Sequence, residues 1–121
     1  MRLVREAQNE LYLVLTDEET RGFWPVYDRY EQELAAVRER LVAVIGEYAE
    51  KFSSLTDDEA HDLVQRYLAV ENDRNQLRRS YVEPFSKVLP GRKVMRFYQM
   101  ENKMDAVLRY QIAATIPVVE P

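Results

Sequence analysis

Apolar residues recur at alternating intervals of four and three from Phe23 to Tyr48, with Phe52 four further on: Phe23, Tyr27, Tyr30, Leu34, Val37, Leu41, Val44, Tyr48 and Phe52. Such a series lays a heptad seam along one side of a helix. Charged residues such as Asp28, Arg29, Glu31, Glu33, Arg38, Glu39 and Glu47 fill the intervening positions. The pattern predicts a helix over 17–52. A looser series, Ala60, Leu63, Tyr67, Val70, Leu77 and Tyr81, predicts a second helix over 57–86, with Arg74 at the seam position between Val70 and Leu77. A third is predicted over 90–114, with Phe97, Met100, Met104, Val107 and Gln111 on one side and Val94, Tyr98, Leu108 and Ile112 alongside. Residues 3–13, with apolar clusters at Leu3-Val4 and Leu11-Tyr12-Leu13, predict a short leading helix.

Local signals set the ends of these elements. Leu15-Thr16-Asp17-Glu18-Glu19 and Leu55-Thr56-Asp57-Asp58-Glu59 each place a threonine at a helix cap with a glutamate three residues later. The threonine oxygen accepts a free first-turn N–H, and the glutamate reaches back to the cap N–H. Leu89-Pro90-Gly91 marks a third start, with Pro90 expected in the first turn. Pro84 is expected to kink or end the second helix, and Pro117 to stop the third. Pro25 falls inside the first helical pattern, where it removes one rung of the hydrogen-bond ladder and crowds the carbonyl of Arg21. The expected result is a bend near Pro25, or a short segment ending at Gly22 before a long helix begins at Pro25. Phe23-Trp24-Pro25-Val26-Tyr27 then reads either as core or as an exposed apolar docking site at the bend.

A helix over 17–52 is about 54 Å long at 1.5 Å per residue, whereas a compact domain of this size has a radius of gyration of about 14 Å. The pattern therefore predicts an all-α, elongated antiparallel helical hairpin or bundle in one domain over 1–121. Whether the seam pairs within the chain or between two chains stays open, and a homodimer is expected from its length.

Composition narrows the chemistry. At 121 residues, 46% apolar and 31% charged, the chain is that of a folded protein, with no apolar run long enough to span a membrane. Met1-Arg2 is followed by charges where a leader would carry an apolar stretch. A cytoplasmic protein and a mature periplasmic one with its leader removed both fit. The absence of cysteine excludes disulfides, thiolate metal sites and cysteine nucleophiles. Net charge is −4, which gives no overall attraction to nucleic acid, yet Arg74, Arg78, Arg79, Lys87, Arg92, Lys93 and Arg96 stand against only Glu83 between 74 and 96. This basic stretch reads as a solvated face with cations suited to a helix C-terminus, or as a surface for an acidic partner. Arg92 and Lys93 support the second reading, since they fall at a helix start, where the dipole disfavours cations.

No catalytic constellation is legible. His61 is the only histidine, so neither a histidine-pair metal site nor a serine triad with a spare histidine can be built. His61 lies beside Asp57, Asp58 and Asp62 and reads as a surface residue, with weak divalent-metal binding as the alternative. Glycines at 22, 46 and 91 are too isolated for a phosphate-binding loop. The chain is expected not to be an enzyme and to hold no cofactor or metal.

The two capped starts resemble the Leu-Thr-x-x-Gln signature of the Spy/CpxP group of periplasmic proteins, with Glu19 and Glu59 in place of glutamine. Leu15 to Tyr30, the segment Ser80-Tyr81-Val82, and the stretches Leu89-Pro90-Gly91-Arg92-Lys93, Gln99-Met100-Glu101-Asn102-Lys103 and Ala113-Ala114-Thr115-Ile116-Pro117-Val118-Val119 are similar to an uncharacterised exported branch of that group. The resemblance covers residues 12–119. It implies a periplasmic setting with a leader removed, a thin antiparallel dimer of bent helices, and an ATP-independent chaperone or a modulator of stress signalling. The chain departs from the group in being acidic overall and in lacking histidine- or cysteine-rich stretches.

The reading that combines these observations is a helical binding protein that engages unfolded or partner polypeptide. The candidate contact residues are Phe23, Trp24, Tyr27 and Tyr30 among the aromatics, and Arg78, Arg79, Arg92, Lys93 and Arg96 in the basic stretch. A regulatory adaptor binding one envelope partner, such as a sensor protein, is the alternative.

Overall fold

The computed structural model describes residues 2–6 and 11–120. The chain is mostly helical, with three long helices: α1 (Asp17–Lys51), α2 (Asp57–Ser80) and α4 (Gly91–Thr115). A single 3-10 turn, Phe52–Ser54, follows α1, and a short helix α3 (Val82–Ser86) follows α2. Before α1 lie two antiparallel strands, β1 (Arg2–Glu6) and β2 (Leu11–Leu15).

The strands correct the leading helix expected over 3–13, of which residues 7–10 lie outside the described residues. Val4 pairs with Leu13 and Arg2 with Leu15. Leu13 and Leu15 are fully buried while Val14 between them is only half-buried, the period of two that a strand imposes and a helix does not. β2 packs against α4, which gives an otherwise marginal two-stranded sheet the support it needs.

Both threonine caps form as the sequence predicts. At α1 the Thr16 N–H donates to Glu19 Oε1 at 2.8 Å, and the Glu19 N–H donates to Thr16 Oγ1 at 3.1 Å. At α2 the Thr56 N–H donates to Glu59 Oε1 at 3.0 Å, and the Glu59 N–H donates to Thr56 Oγ1 at 3.2 Å. The third start is shifted by one residue. Pro90 is the cap rather than a first-turn residue, with φ −66° and ψ 155°, and its carbonyl accepts from Val94 N–H at 3.1 Å.

α1 runs unbroken through Pro25, so the long helix does not begin there. The second helix is divided instead of running to 86. α2 stops at Ser80, whose carbonyl would have needed an N–H from Pro84, and Pro84 is then accommodated in the first turn of α3.

The described chain forms two compact units. The first comprises Met1–Asp28 and Val82–Pro117; the second comprises Arg29–Tyr81 and Val118–Pro121. The first unit buries Leu13, Leu15, Phe23, Val26, Phe85, Leu89, Val94, Phe97 and Met100. Gly22 lies where a helix side passes close to Val88: a Cβ built on it would meet Val88 Cγ1 at 2.8 Å. The second unit buries Tyr30, Leu34, Val44, Leu63 and Val70. There Arg40 reaches Asp73 at 2.7 Å, Arg66 pairs with Glu47, and Lys51 reaches Glu59 at 3.1 Å. All nine seam residues from Phe23 to Phe52 are buried or half-buried within the single chain.

Candidate functional site

The aromatic candidates are built into the core. Phe23, Tyr27 and Tyr30 follow the i, i+4, i+7 spacing of one helix face, and Phe23 and Tyr30 are 0% exposed. The Phe23 ring lies 5.7 Å from both Phe85 and Phe97, and Phe85 lies 4.6 Å from Phe97. Trp24 stands edge-on to Phe23 at 5.1 Å, and Tyr27 stacks on Phe23 at 5.6 Å. In the second unit Tyr30 meets Tyr81 edge-on at 5.1 Å. Pairs of this kind add about 0.5–1.5 kcal/mol each beyond the area they bury. Of the four, only Trp24 and Tyr27, both half-buried, keep surface for a partner. Phe85, which is fully buried at the centre of this cluster, is absent from the candidate set because no helical series runs through it.

The basic candidates divide differently. Arg78 and Arg79 occupy the last turn of α2 in the second unit, where the helix dipole favours cations, with Arg78 half-buried and Arg79 exposed. Arg92, Lys93 and Arg96 lie on the first two turns of α4 in the first unit, and Arg92 and Arg96 are exposed. Lys93 is drawn into an ion pair with Glu19. The Lys93 ammonium and the Thr16 N–H together hold the Glu19 carboxyl below the usual carboxylate range. One glutamate thus caps α1 and ties it to α4, which offsets the unfavourable place of Lys93 at a helix start. Residues 74 apart in sequence make this contact.

At the α1–α2 junction a recess of about 260 Å³ is lined by Glu47, Lys51, Asp58, Glu59, Asp62 and Leu63. Three of its carboxylates are answered by cations: Arg66 binds Glu47 and approaches Asp62 at 3.3 Å, and Lys51 binds Glu59. Hydrogen bonding to Arg66 lowers the pKa of Glu47; the Thr56 N–H, with Lys51 behind it, lowers that of Glu59. A general acid at neutral pH requires the opposite shift. His61 is exposed, and its Nε2 is hydrogen-bonded to Gln65 Nε2 at 3.0 Å. Among the described residues no group of three or more His, Cys, Asp or Glu side chains is arranged to hold a metal ion.

What the surface does present is apolar. Val64, Tyr67 and Leu68 are exposed on α2, and Met95, Met104, Leu108 and Tyr110 on α4. Among the described residues no helix is long and apolar enough to cross a membrane. The chain matches no protein-family model, no curated protein and no solved structure.

Proposed function

We propose that this chain is a non-enzymatic helical protein that binds unfolded or partner polypeptide and acts as an ATP-independent chaperone in the periplasm. The observation that carries the reading is the set of large apolar side chains held exposed on well-formed helices, those of α4 sharing their helix with exposed cations. Leu68 on α2 is 57% exposed and Met104 on α4 is 51% exposed. Scattered weak apolar contacts, with charge to draw a client in, hold a polypeptide loosely and let it go as its own core closes. Methionine suits such a surface because its unbranched side chain adapts to different neighbours.

The resemblance of the capped starts to the Spy/CpxP group supports the same reading and extends it to an elongated antiparallel hairpin that dimerises. Because Phe23 and Tyr30 are buried, the client surface in this proposal uses Trp24, Tyr27, Arg92 and Arg96 together with the exposed apolar positions of α4, all in the first unit. A regulatory adaptor is the competing reading, favoured by the exposed Met104 and Leu108, which follow one another at helical spacing on α4.

Light scattering from an aggregating client tests the proposal. Suppression without nucleotide at stoichiometric protein is expected, and unaltered aggregation would overturn it. Capture from periplasmic extract separates the two readings, since mixed clients indicate a chaperone and one stoichiometric partner an adaptor. Sedimentation of a compact monomer at micromolar concentration would remove the dimer.

A further inference from the structure

One apolar stripe runs the length of α4, and among the described residues only its first half is buried. Val94, Phe97 and Met100 are buried; Met104 and Leu108, which continue the stripe at helical spacing, are 51% and 47% exposed. Met104, Leu108 and Gln111 recur at i, i+4 and i+7, with half-buried Val107 beside them, so they share a side of the helix.

The two flanks of this open stripe differ. On one flank Arg92, Arg96 and Lys103 recur at i, i+4 and i+11, all exposed, with Gln99 and Tyr110 in the same row and no carboxylate among them. At 1.5 Å per residue the cations are spaced by about 6 Å and then about 10.5 Å. The acids of α4, Glu101 and Asp105, lie on the other flank, are only half-exposed, and Asp105 accepts from Arg109 Nε at 2.7 Å.

We infer that the basic flank of α4, together with the open second half of its apolar stripe, is a docking site for an acidic amphipathic helix of a partner polypeptide. The partner's apolar side chains cover Met104, Val107 and Leu108, and its carboxylates run along Arg92, Arg96 and Lys103. A partner helix has the same rise per residue as α4, so carboxylates repeated on one of its sides keep step with the basic row. An anionic lipid surface is flat and would meet both flanks of the stripe together, the acidic one included. A single helix can engage the basic flank alone. The inference rests on the polypeptide-binding reading above and gives it a place and a ligand class.

The test is fluorescence anisotropy with a labelled synthetic amphipathic peptide carrying leucines on one face and glutamates along the adjoining flank. A second peptide carries lysines in place of the glutamates. The glutamate peptide is expected to bind saturably, more weakly as salt rises, and the lysine peptide to bind poorly. Arg96→Glu with Lys103→Glu should weaken the first roughly tenfold and improve the second; Leu108→Asp should weaken both. These positions are exposed, and unchanged far-UV dichroism and thermal midpoint certify that the variants fold. Equal binding of the two peptides, or indifference to the charge reversal, would overturn the site. So would binding to phosphatidylglycerol vesicles that matches the peptide in strength and is lost in the same variants. If the chain suppresses client aggregation yet binds neither peptide, this inference alone fails. If it binds the glutamate peptide but suppresses nothing, the chaperone reading fails and the site stands as an adaptor's.

Discussion

Two glycines of α1 should respond in opposite directions to the same substitution. In a helix interior, glycine costs about 0.5–1 kcal/mol relative to alanine, because it loses more backbone freedom on folding. At Gly46 a Cβ meets nothing within 4 Å, so Gly46→Ala should gain that full amount. At Gly22 the added Cβ would lie 2.8 Å from Val88 Cγ1 and 2.9 Å from Val88 Cβ. Val88 is β-branched and holds few rotamers, so the overlap must be relieved by moving backbone. Overpacking of this kind costs about 1–3 kcal/mol. The propensity gain offsets part of it, and Gly22→Ala should be destabilised by about 1–2 kcal/mol. For a chain of this size that lowers the thermal midpoint by roughly 4–8 °C, while Gly46→Ala raises it by a few degrees. Urea unfolding followed by helical dichroism reads both free energies. Val88→Ala in the Gly22→Ala background removes the overlapping methyl groups and should recover much of the loss. The reasoning fails if Gly22→Ala stabilises as Gly46→Ala does, or if Val88→Ala brings no recovery.

Other consequences follow from the same contacts. Phe85 is fully buried among Phe23, Phe97 and Tyr98, so Phe85→Ala should cost about 3–5 kcal/mol, read by urea unfolding; a loss below about 1 kcal/mol would mean that the cluster is not a core. Thr56→Ala removes the acceptor for the Glu59 N–H and should cost about 1 kcal/mol in the same assay, with Thr56→Ser close to neutral. Glu19, Glu47 and Glu59 are held below the ordinary glutamate value by Lys93, Arg66 and the Thr56 N–H respectively. Their contribution is complete above the unfolded-state value of about 4.3 and is lost as pH falls through the lowered folded-state values. The thermal midpoint should therefore change little because of these groups between pH 7 and 5 and fall below about pH 4.3. Replacing all three by glutamine should flatten that fall, and an equally steep fall in the triple variant would contradict the assignment.

The parts of the fold legible in the sequence are those set by near neighbours. Thr16 and Thr56 lie three residues from the glutamates that complete their caps, and the four-three spacing from Phe23 to Tyr48 needs only the helical period. The leading strands escaped because two apolar clusters of a few residues fit either period, and pairing Val4 with Leu13 is a contact that no local pattern announces. The break at Tyr81 was visible in Pro84 but placed too late, since proline disturbs the carbonyl four residues before it. The candidate site was less legible. Periodicity identified the stripe through Phe97, Met100 and Met104 but not where its cover ends, and that depends on distant parts of the chain. For the same reason Phe23 and Tyr30 fit either core or surface by spacing alone, and only Phe85, Phe97 and Tyr81, brought against them by the fold, bury them. The tie between Glu19 and Lys93 joins α1 to α4 and has no local signature.

The central claim is that the chain holds non-native polypeptide on exposed apolar and basic helix surface. Titration of a fluorescently labelled, permanently unfolded client with the intact chain tests it most directly, because aggregation plays no part in the signal. The account predicts saturable binding without nucleotide, weakened by salt and by Leu68→Asp with Leu108→Asp, and no binding of the same client once folded. Failure to bind the unfolded client, or equal affinity for its folded form, would contradict it.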